Sequence, residues 1–566
     1  MSDYKRAFDE ALAQLTAAGS PFATQSITRH GVDYVEFAEA PATMLEVFTA
    51  AAVHGDKEFV IYEGERWTFT QMLQLAASIG HQLQQELGVN KGDRVVIAMR
   101  NYPEWMAAFI AIISIGAVAV PLNSWGKARE LQFAIEDAGA RVAFCDQQRF
   151  DLIATALEDA GIPAVIVRPE QPNSGVSVYD LEHFVQGHET ATMPAVAISG
   201  EDLALMLYTS GTTGAPKGAI STHYALGQAI QNFEVMGMAS AMINPEAIGA
   251  MMESGLEPTQ MLAVPLFHVS GCHAVFMTAL KAGRKIVMLY KWDPEIALEM
   301  IESEKITIAN AAPAQLLQLF ESPNFDSRDT SSLSSVGAGG SATPPRAARL
   351  IEQKVTNGYP GTGWGLTETN AIGTAFTGKP FQSKPNSAGF PYATVQISIR
   401  DANGEELPTG TAGELWIKTP TLIREYWNRP EATAKDFVAG WFNSGDIGYF
   451  DEDGYLFLSD RAKDMVIRGG ENIYPAEIES VLFDHPDIVE AAVFGVPDEK
   501  MGEALAAAVV PREGTELSPA DVTAYAAEHL ANFKVPHQVW IHSAPLPRNP
   551  SGKVLKKDLR AGFQPL

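Results

Sequence analysis

Cysteine is nearly absent. Cys145 and Cys272 are the only two in 566 residues and lie far apart, which excludes a disulfide scaffold and a cysteine-based zinc site and fits a reducing cytoplasm. A lone cysteine of this kind reads as buried packing. Basic residues are also scarce: 41 Lys and Arg stand against 68 Asp and Glu, a formal net charge of −27. Such a surface disfavours nonspecific binding to nucleic acid or an anionic membrane, so any polyanionic ligand must meet a local cluster of cations. Nor is there an apolar core of a signal peptide in the charged, helix-prone stretch from Met1 to Gly19. The one long uncharged run, Trp105 to Leu122, is broken by Gly116 and Pro121. It reads as a buried helix, a turn and a strand rather than a transmembrane segment. Internal repeats and low-complexity linkers are absent too.

What remains is an ordinary globular composition, 46% hydrophobic and 19% charged, in a chain too long for one core. From about Thr43 to Val355, helical stretches such as Phe69–Glu86 and Pro294–Glu304 alternate with short β-rich runs. Those runs include Arg94–Ala98, Val142–Phe144, Ala164–Val167, Gln260–Val264, Lys285–Leu289 and Thr307–Asn310. The alternation predicts α/β architecture, mostly parallel sheets with helices on both faces. Between Ala388 and Leu458 the texture changes to short strands with turn signals such as Asn403-Gly404 and Asp453-Gly454, expected to form a small antiparallel barrel module. Beyond Asp460 the pattern predicts a small α+β domain.

The densest chemistry lies at Tyr208-Thr-Ser-Gly-Thr-Thr-Gly-Ala-Pro-Lys-Gly218, straight after the apolar run Leu203–Leu207. Glycines let backbone N–H groups approach an anion, hydroxyls add neutral donors, and Lys217 adds a point charge. It is not the usual NTPase loop, because Gly218 stands where a metal-binding Ser or Thr would follow the lysine. Alone, the segment reads equally as a linker or as a phosphate grip.

Further motifs follow in order. Val264-Pro-Leu-Phe-His-Val-Ser-Gly271 places His268 in an apolar strand-to-helix turn, where a single His is more often packing. Gly337-Ala-Gly-Gly-Ser-Ala342 is a small-residue strand end that lets a flat ring approach. Gly363-Trp-Gly-Leu-Thr-Glu368 offers Trp364, either core or a stacking face, and Glu368, an oxygen ligand that suits Mg²⁺. Asp446 and Arg461 can each bond ribose hydroxyls. Lys553 sits in Pro547-Arg-Asn-Pro-Ser-Gly-Lys553.

Taken together these segments resemble the adenylate-forming superfamily of acyl-CoA synthetases, luciferases and peptide-synthetase adenylation domains, from about residue 44 to 557. The resemblance implies a large N-terminal domain (1–459) of two mostly parallel sheets plus the barrel module, a hinge (460–463), and a mobile C-terminal α+β domain (464–566). It also implies two steps: a carboxylate attacks the α-phosphate of ATP with Mg²⁺ to give an acyl-adenylate and pyrophosphate, then a thiol displaces AMP. By position, Thr209, Ser210, Gly211, Thr212, Thr213 and Lys217 match the loop holding the β- and γ-phosphates. Gly339, Gly340 and Ser341 match the strand beside adenine, and Trp364 the aromatic stacked on it. Thr367 and Glu368 match the α-phosphate and magnesium contacts, Asp446 and Arg461 the ribose contacts, and Lys553 the lysine bridging carboxylate and α-phosphate. Lys463 matches the hinge position, and Arg468, Gly469 and Gly470 begin the loop lining the pantetheine tunnel of coenzyme A.

Three branches compete: an acyl-CoA ligase, an amino-acid adenylation protein, and a scaffold with a decayed site. His268 stands where the amino-acid branch has an Asp for the substrate ammonium, no carrier-protein segment follows Lys553, and the charged site residues are all present. The ligase is therefore expected. The acyl pocket is expected around His268, Val269, Cys272, Gly337, Gly339 and Gly365. Those segments contain no lysine or arginine, which disfavours dicarboxylic acids, and their small residues leave room for a medium or long fatty acid. Aryl and sterol-side-chain acids stay open. The Met-rich segment 236–259 reads as a surface insertion ahead of a lid. The resemblance makes a homodimer the assembly to test.

Overall fold

A computed structural model of the chain describes residues 2–171, 177–187, 192–209, 216–339, 345–355, 359–461, 464–468, 471–498, 500–548 and 553–563.

Two large sheets dominate. The eight-stranded sheet has a parallel centre, Leu203–Thr209, Val118–Pro121, Arg94–Ala98, Val142–Asp146, Ala164–Val167 and Val178–Asp180 in spatial order. Its other edge is closed by two antiparallel strands, Lys217–Thr222 and Glu425–Tyr426. The nine-stranded sheet has Tyr359–Trp364, Ser335–Ala338, Ile308–Ala311, Thr259–Leu262, Lys285–Met288 and Glu58–Tyr62 running parallel at its centre. Local signals set the helix starts between these strands. Thr68 and Gln71 form a capping box ahead of Phe69–Gln85, and the Asp293 side chain with Pro294 opens Pro294–Glu304.

The uncharged run resolves as read from the sequence. Helix Pro103–Ser114 is buried on every side, Gly116 turns with φ 77°, and strand Val118–Pro121 is buried throughout. The helix packs on the eight-stranded sheet and on helices Met44–Ala50 and Phe69–Gln85, in one core that also takes in residues of the nine-stranded sheet, which explains apolar residues all round it. Among the described residues no helix is long and apolar enough to cross a membrane.

The module expected as a barrel is an open five-stranded antiparallel sheet built on Gly413–Lys418, Trp441–Phe450 and Leu456–Arg461, with no pairing among the described residues that closes it. From Val466 onward a separate sheet forms, with Ile488–Asp498 and Gly502–Pro511 as its long antiparallel pair and Gln538–Ile541 added in parallel. This is the small α+β unit. It meets the large one through Arg349 and Asp484 (2.7 Å) and through Arg346, which donates to the Ile488 carbonyl (3.4 Å). The helix-prone N-terminus forms helix Asp3–Leu15, and an element not anticipated from the sequence follows it, a hairpin of Thr24–Arg29 and Val32–Phe37. The hairpin clamps helix His223–Met242: Phe37 exchanges two 3.0 Å hydrogen bonds with Gln228.

Candidate active site

A single cleft of 2680 Å³ runs between the two large sheets and under the small domain. Thr209, Lys217, Trp364, Thr367, Glu368, Asp446 and Lys553 all line it, although they span most of the chain. The phosphate-loop residues Ser210 to Thr213 lie outside the described residues, as do Gly340, Ser341, Lys463, Gly469 and Gly470. The loop's two flanks are described: Thr209 and Lys217 face each other across antiparallel strands, so both ends of the segment meet at the cleft.

Around Lys217 the structure assembles a polar chain. Its ammonium pairs with Asp436 at 3.0 Å and sits 3.8 Å above the Tyr426 ring. The Tyr426 hydroxyl in turn donates to Glu368 Oε1 at 2.9 Å. Burial and the neighbouring Glu368 carboxylate push the Tyr426 phenol far up, so it stays a neutral donor. Tyr426 and Asp436 were missed in the sequence because nothing local marks either. They come from the edge strand Glu425–Tyr426 and the short helix Pro430–Asp436.

Glu368 sits in a one-turn helix, Thr367–Thr369, held open by unusual backbone. Asn370 and Ala371 both take left-handed conformations (φ 52° and 69°), costly for non-glycine residues and tolerated where the surroundings fix them. The fixing groups are visible. Asn370 donates to the Thr421 carbonyl (2.8 Å), and its Oδ1 accepts from Ser221 (2.9 Å) and from His273 Nε2 (3.0 Å). A Cβ on Gly365 would lie 2.1 Å from the Ala371 carbonyl oxygen, so only glycine fits beside this turn.

Asp446, 7% exposed, accepts from the Trp364 indole N–H at 2.7 Å and is registered opposite Arg461 on antiparallel strands. The two residues expected to contact ribose are thus cross-strand neighbours. Trp364 is itself only 8% exposed and packs with Leu366, Ile417 and Phe442. Little ring face remains open, so its clearest role is to orient Asp446. Arg468 does not line the cleft; it donates to the Phe533 carbonyl within the small domain.

The acyl side also needs one correction. His268, Val269, Gly337, Gly339 and Gly365 line the cleft, but Cys272 does not. The helical segment after His268 turns Ser270, Ala274, Thr278 and Lys281 to the cleft at helical spacing, while Cys272, Val275, Phe276 and Leu280 face the core. Burial holds the Cys272 thiol well above its ordinary range and leaves it inert. His268 Nε2 is enclosed without a hydrogen-bond partner among the described residues, and burial pushes the ring down to about 4, so it is neutral. The Met-rich segment is no mere surface insertion, since Met236, Met238, Ile248 and Met251 line the cleft.

Comparison with known proteins agrees with this geometry. Residues 47–427 match the AMP-binding enzyme family, and residues 477–553 match the AMP-binding enzyme C-terminal domain. The chain therefore belongs to the adenylate-forming superfamily. Within it, the chain falls in the acyl-CoA synthetase branch as an AMP-forming acid–CoA ligase. It is 34% identical over 503 residues to a long-chain-fatty-acid–CoA ligase of Mycobacterium tuberculosis, covering 88% of this chain and 93% of that protein. A feruloyl-CoA synthase of Amycolatopsis is 32% identical, with 89% and 95% covered. Among solved structures, an amide bond synthetase from Marinactinospora thermotolerans superposes with a TM-score of 0.77 at 28% identity, covering 93% of this chain and 100% of that one. The o-succinylbenzoate CoA synthetase of Bacillus subtilis with its acyl-adenylate intermediate gives 0.74 at 27%, covering 92% and 99%.

Proposed function

We propose that the protein activates a medium- or long-chain fatty acid as its acyl-adenylate and transfers the acyl group to coenzyme A. One observation carries the chain-length reading. The cleft follows the parallel strands of the nine-stranded sheet along their length, touching both ends of Ile308–Ala311, Ser335–Ala338 and Tyr359–Trp364. At about 3.3 Å per residue, the longest of these strands spans roughly 17–20 Å, far more than acetate or a single ring fills. Gly337 and Gly361 clear the floor, since a Cβ on either would come within 2.5 Å of the Asn310 or Thr377 side chain.

The chemistry must bring a carboxylate up to a triphosphate, so repulsion between anions is the obstacle. Lys553 supplies a cation on the small domain, Lys217 a second beside the phosphate loop, and Asp446 with Trp364 fixes the nucleotide end. Glu368, as a single carboxylate beside substrate phosphates, fits the way Mg²⁺ is usually held; when bound, the ion would neutralise phosphate charge. Because Lys553 lies past residues 460–463, rotation there would bring it in for adenylation and withdraw it for thioester formation. The test is a panel of straight-chain acids of increasing length, assayed for ATP–pyrophosphate exchange and CoA-dependent AMP release. Activity peaking at dodecanoate to hexadecanoate is expected; a peak at acetate or at aryl acids would overturn the fatty-acid reading.

A further inference from the structure

The far end of the acyl arm is not apolar. At the N-terminal ends of the strands, Tyr359, Ser335, Ile308 and Gln260 are registered neighbours in one row across the sheet, and all four line the cleft. A plain hydrocarbon tail would call for apolar side chains here. Instead, Gln260 Oε1, the Tyr359 hydroxyl and the Thr377 hydroxyl are buried here; Gln260 Oε1 has no hydrogen-bond partner among the described residues, while Tyr359 interacts only with the Thr377 and Ser240 side chains. Unpaired buried polar groups are rare in folded proteins unless a ligand or water completes them.

A cation stands beside this row. Arg284, just ahead of strand Lys285–Met288, lines the cleft, and its guanidinium makes no ion pair or hydrogen bond with the other described residues. Burial pulls its pKa down, and the only charge it feels appreciably is Glu234. Glu234 is already engaged by Lys281 at 2.6 Å. Two cations thus share one carboxylate beside this polar row, in a protein whose net charge is −27. Arginine offers several donors in a planar fork suited to a carboxylate. The acyl-pocket segments singled out from the sequence contained no cation because this one comes from outside them.

From this placement we infer that the distal end of the acyl arm is a second polar subsite, so the preferred substrate is a long-chain acid with an oxygen acceptor, above all a carboxylate, at its far end. This rests on the chain-acid reading and narrows it.

The test compares hexadecanoate, hexadecanedioate and the monomethyl ester of hexadecanedioate in ATP–pyrophosphate exchange with the full chain. Wild-type protein is expected to favour the dioate over hexadecanoate in kcat/KM. Arg284→Met is expected to lower kcat/KM for the dioate by about 10- to 100-fold, the size of a lost charge-assisted hydrogen bond, while leaving hexadecanoate unchanged. Arg284→Lys should recover part of the loss. An ester that follows the dioate assigns a carbonyl acceptor, and one that follows hexadecanoate assigns the charged carboxylate. Should Arg284→Met fail to fold, Tyr359→Phe gives a smaller loss confined to the same acid. Equal use of dioate and hexadecanoate by wild type, or equal loss of all three acids in the variants, overturns the inference while leaving the ligase standing. Exchange with none of them overturns the chain-acid reading itself.

Discussion

The two ends of the cleft are built in opposite ways. At the nucleotide end, short contiguous motifs each deliver a side chain: Lys217 at a strand start, Glu368 in a one-turn helix, Asp446 mid-strand. At the acyl end the motif residues His268 and Gly337 form only part of the surface. Its floor is a row of residues from separate strand starts, and its roof comes from one face of helix His223–Met242 and the helical turns after His268. The nucleotide is the same in every turnover, so local backbone geometry can be dedicated to it. The acid is met by a surface whose shape depends on long-range packing.

The comparison is broken most severely at Lys553. Lys553→Ala removes a cation from the nucleotide end and should slow adenylation on the order of 10²–10³-fold, the usual cost of one transition-state charge contact. Thioester formation from a supplied acyl-adenylate should be spared, as measured by single-turnover CoA acylation. Equal loss in both half-reactions would show that Lys553 does not alternate between them.

A smaller effect is expected in the acyl arm, and it should change selectivity more than rate. A Cβ at Gly337 would sit 2.3 Å from Asn310 Oδ1, whereas one at Gly339 meets nothing within 4 Å. Gly337→Val should narrow the arm and shift preference from hexadecanoate toward shorter acids by about tenfold, the discrimination expected when a few methylenes lose their pocket. Gly339→Ala should leave the chain-length profile alone. An unchanged profile in Gly337→Val would place the acyl chain elsewhere.

The same contrast explains what could be read in advance. The parallel sheets, antiparallel module and small domain were legible because alternating helices and β-rich runs carry their own periodicity. That Lys217, Glu368, Asp446 and Lys553 come together at the cleft was legible because each sits in a compact run of glycines and polar residues. Tyr426, Asp436 and Arg284 were not, since their roles arise only when distant strands align. Cys272 was misplaced for a related reason: sequence proximity to His268 does not say which face of a helix a residue occupies.

Acid pH should weaken the acyl side first. Three buried histidines, His223, His268 and His273, have their pKa pushed down by burial to about 4 from an ordinary 6.5. Two belong to the acyl wall or its support, and His223 opens the helix that roofs the arm. Each is neutral in the folded protein; His223 Nδ1 accepts from the Met44 amide, a bond that protonation would remove. An unfolded chain takes up these protons near 6.5 while the folded one refuses them until about 4. Their stabilising contribution is therefore complete above 6.5 and drains away as pH falls toward 4. Thermal melts across that window should show a falling Tm. His273→Gln keeps a donor for Asn370 but cannot titrate, so it should flatten the slope; an undiminished slope in that variant would mean the acid sensitivity arises elsewhere.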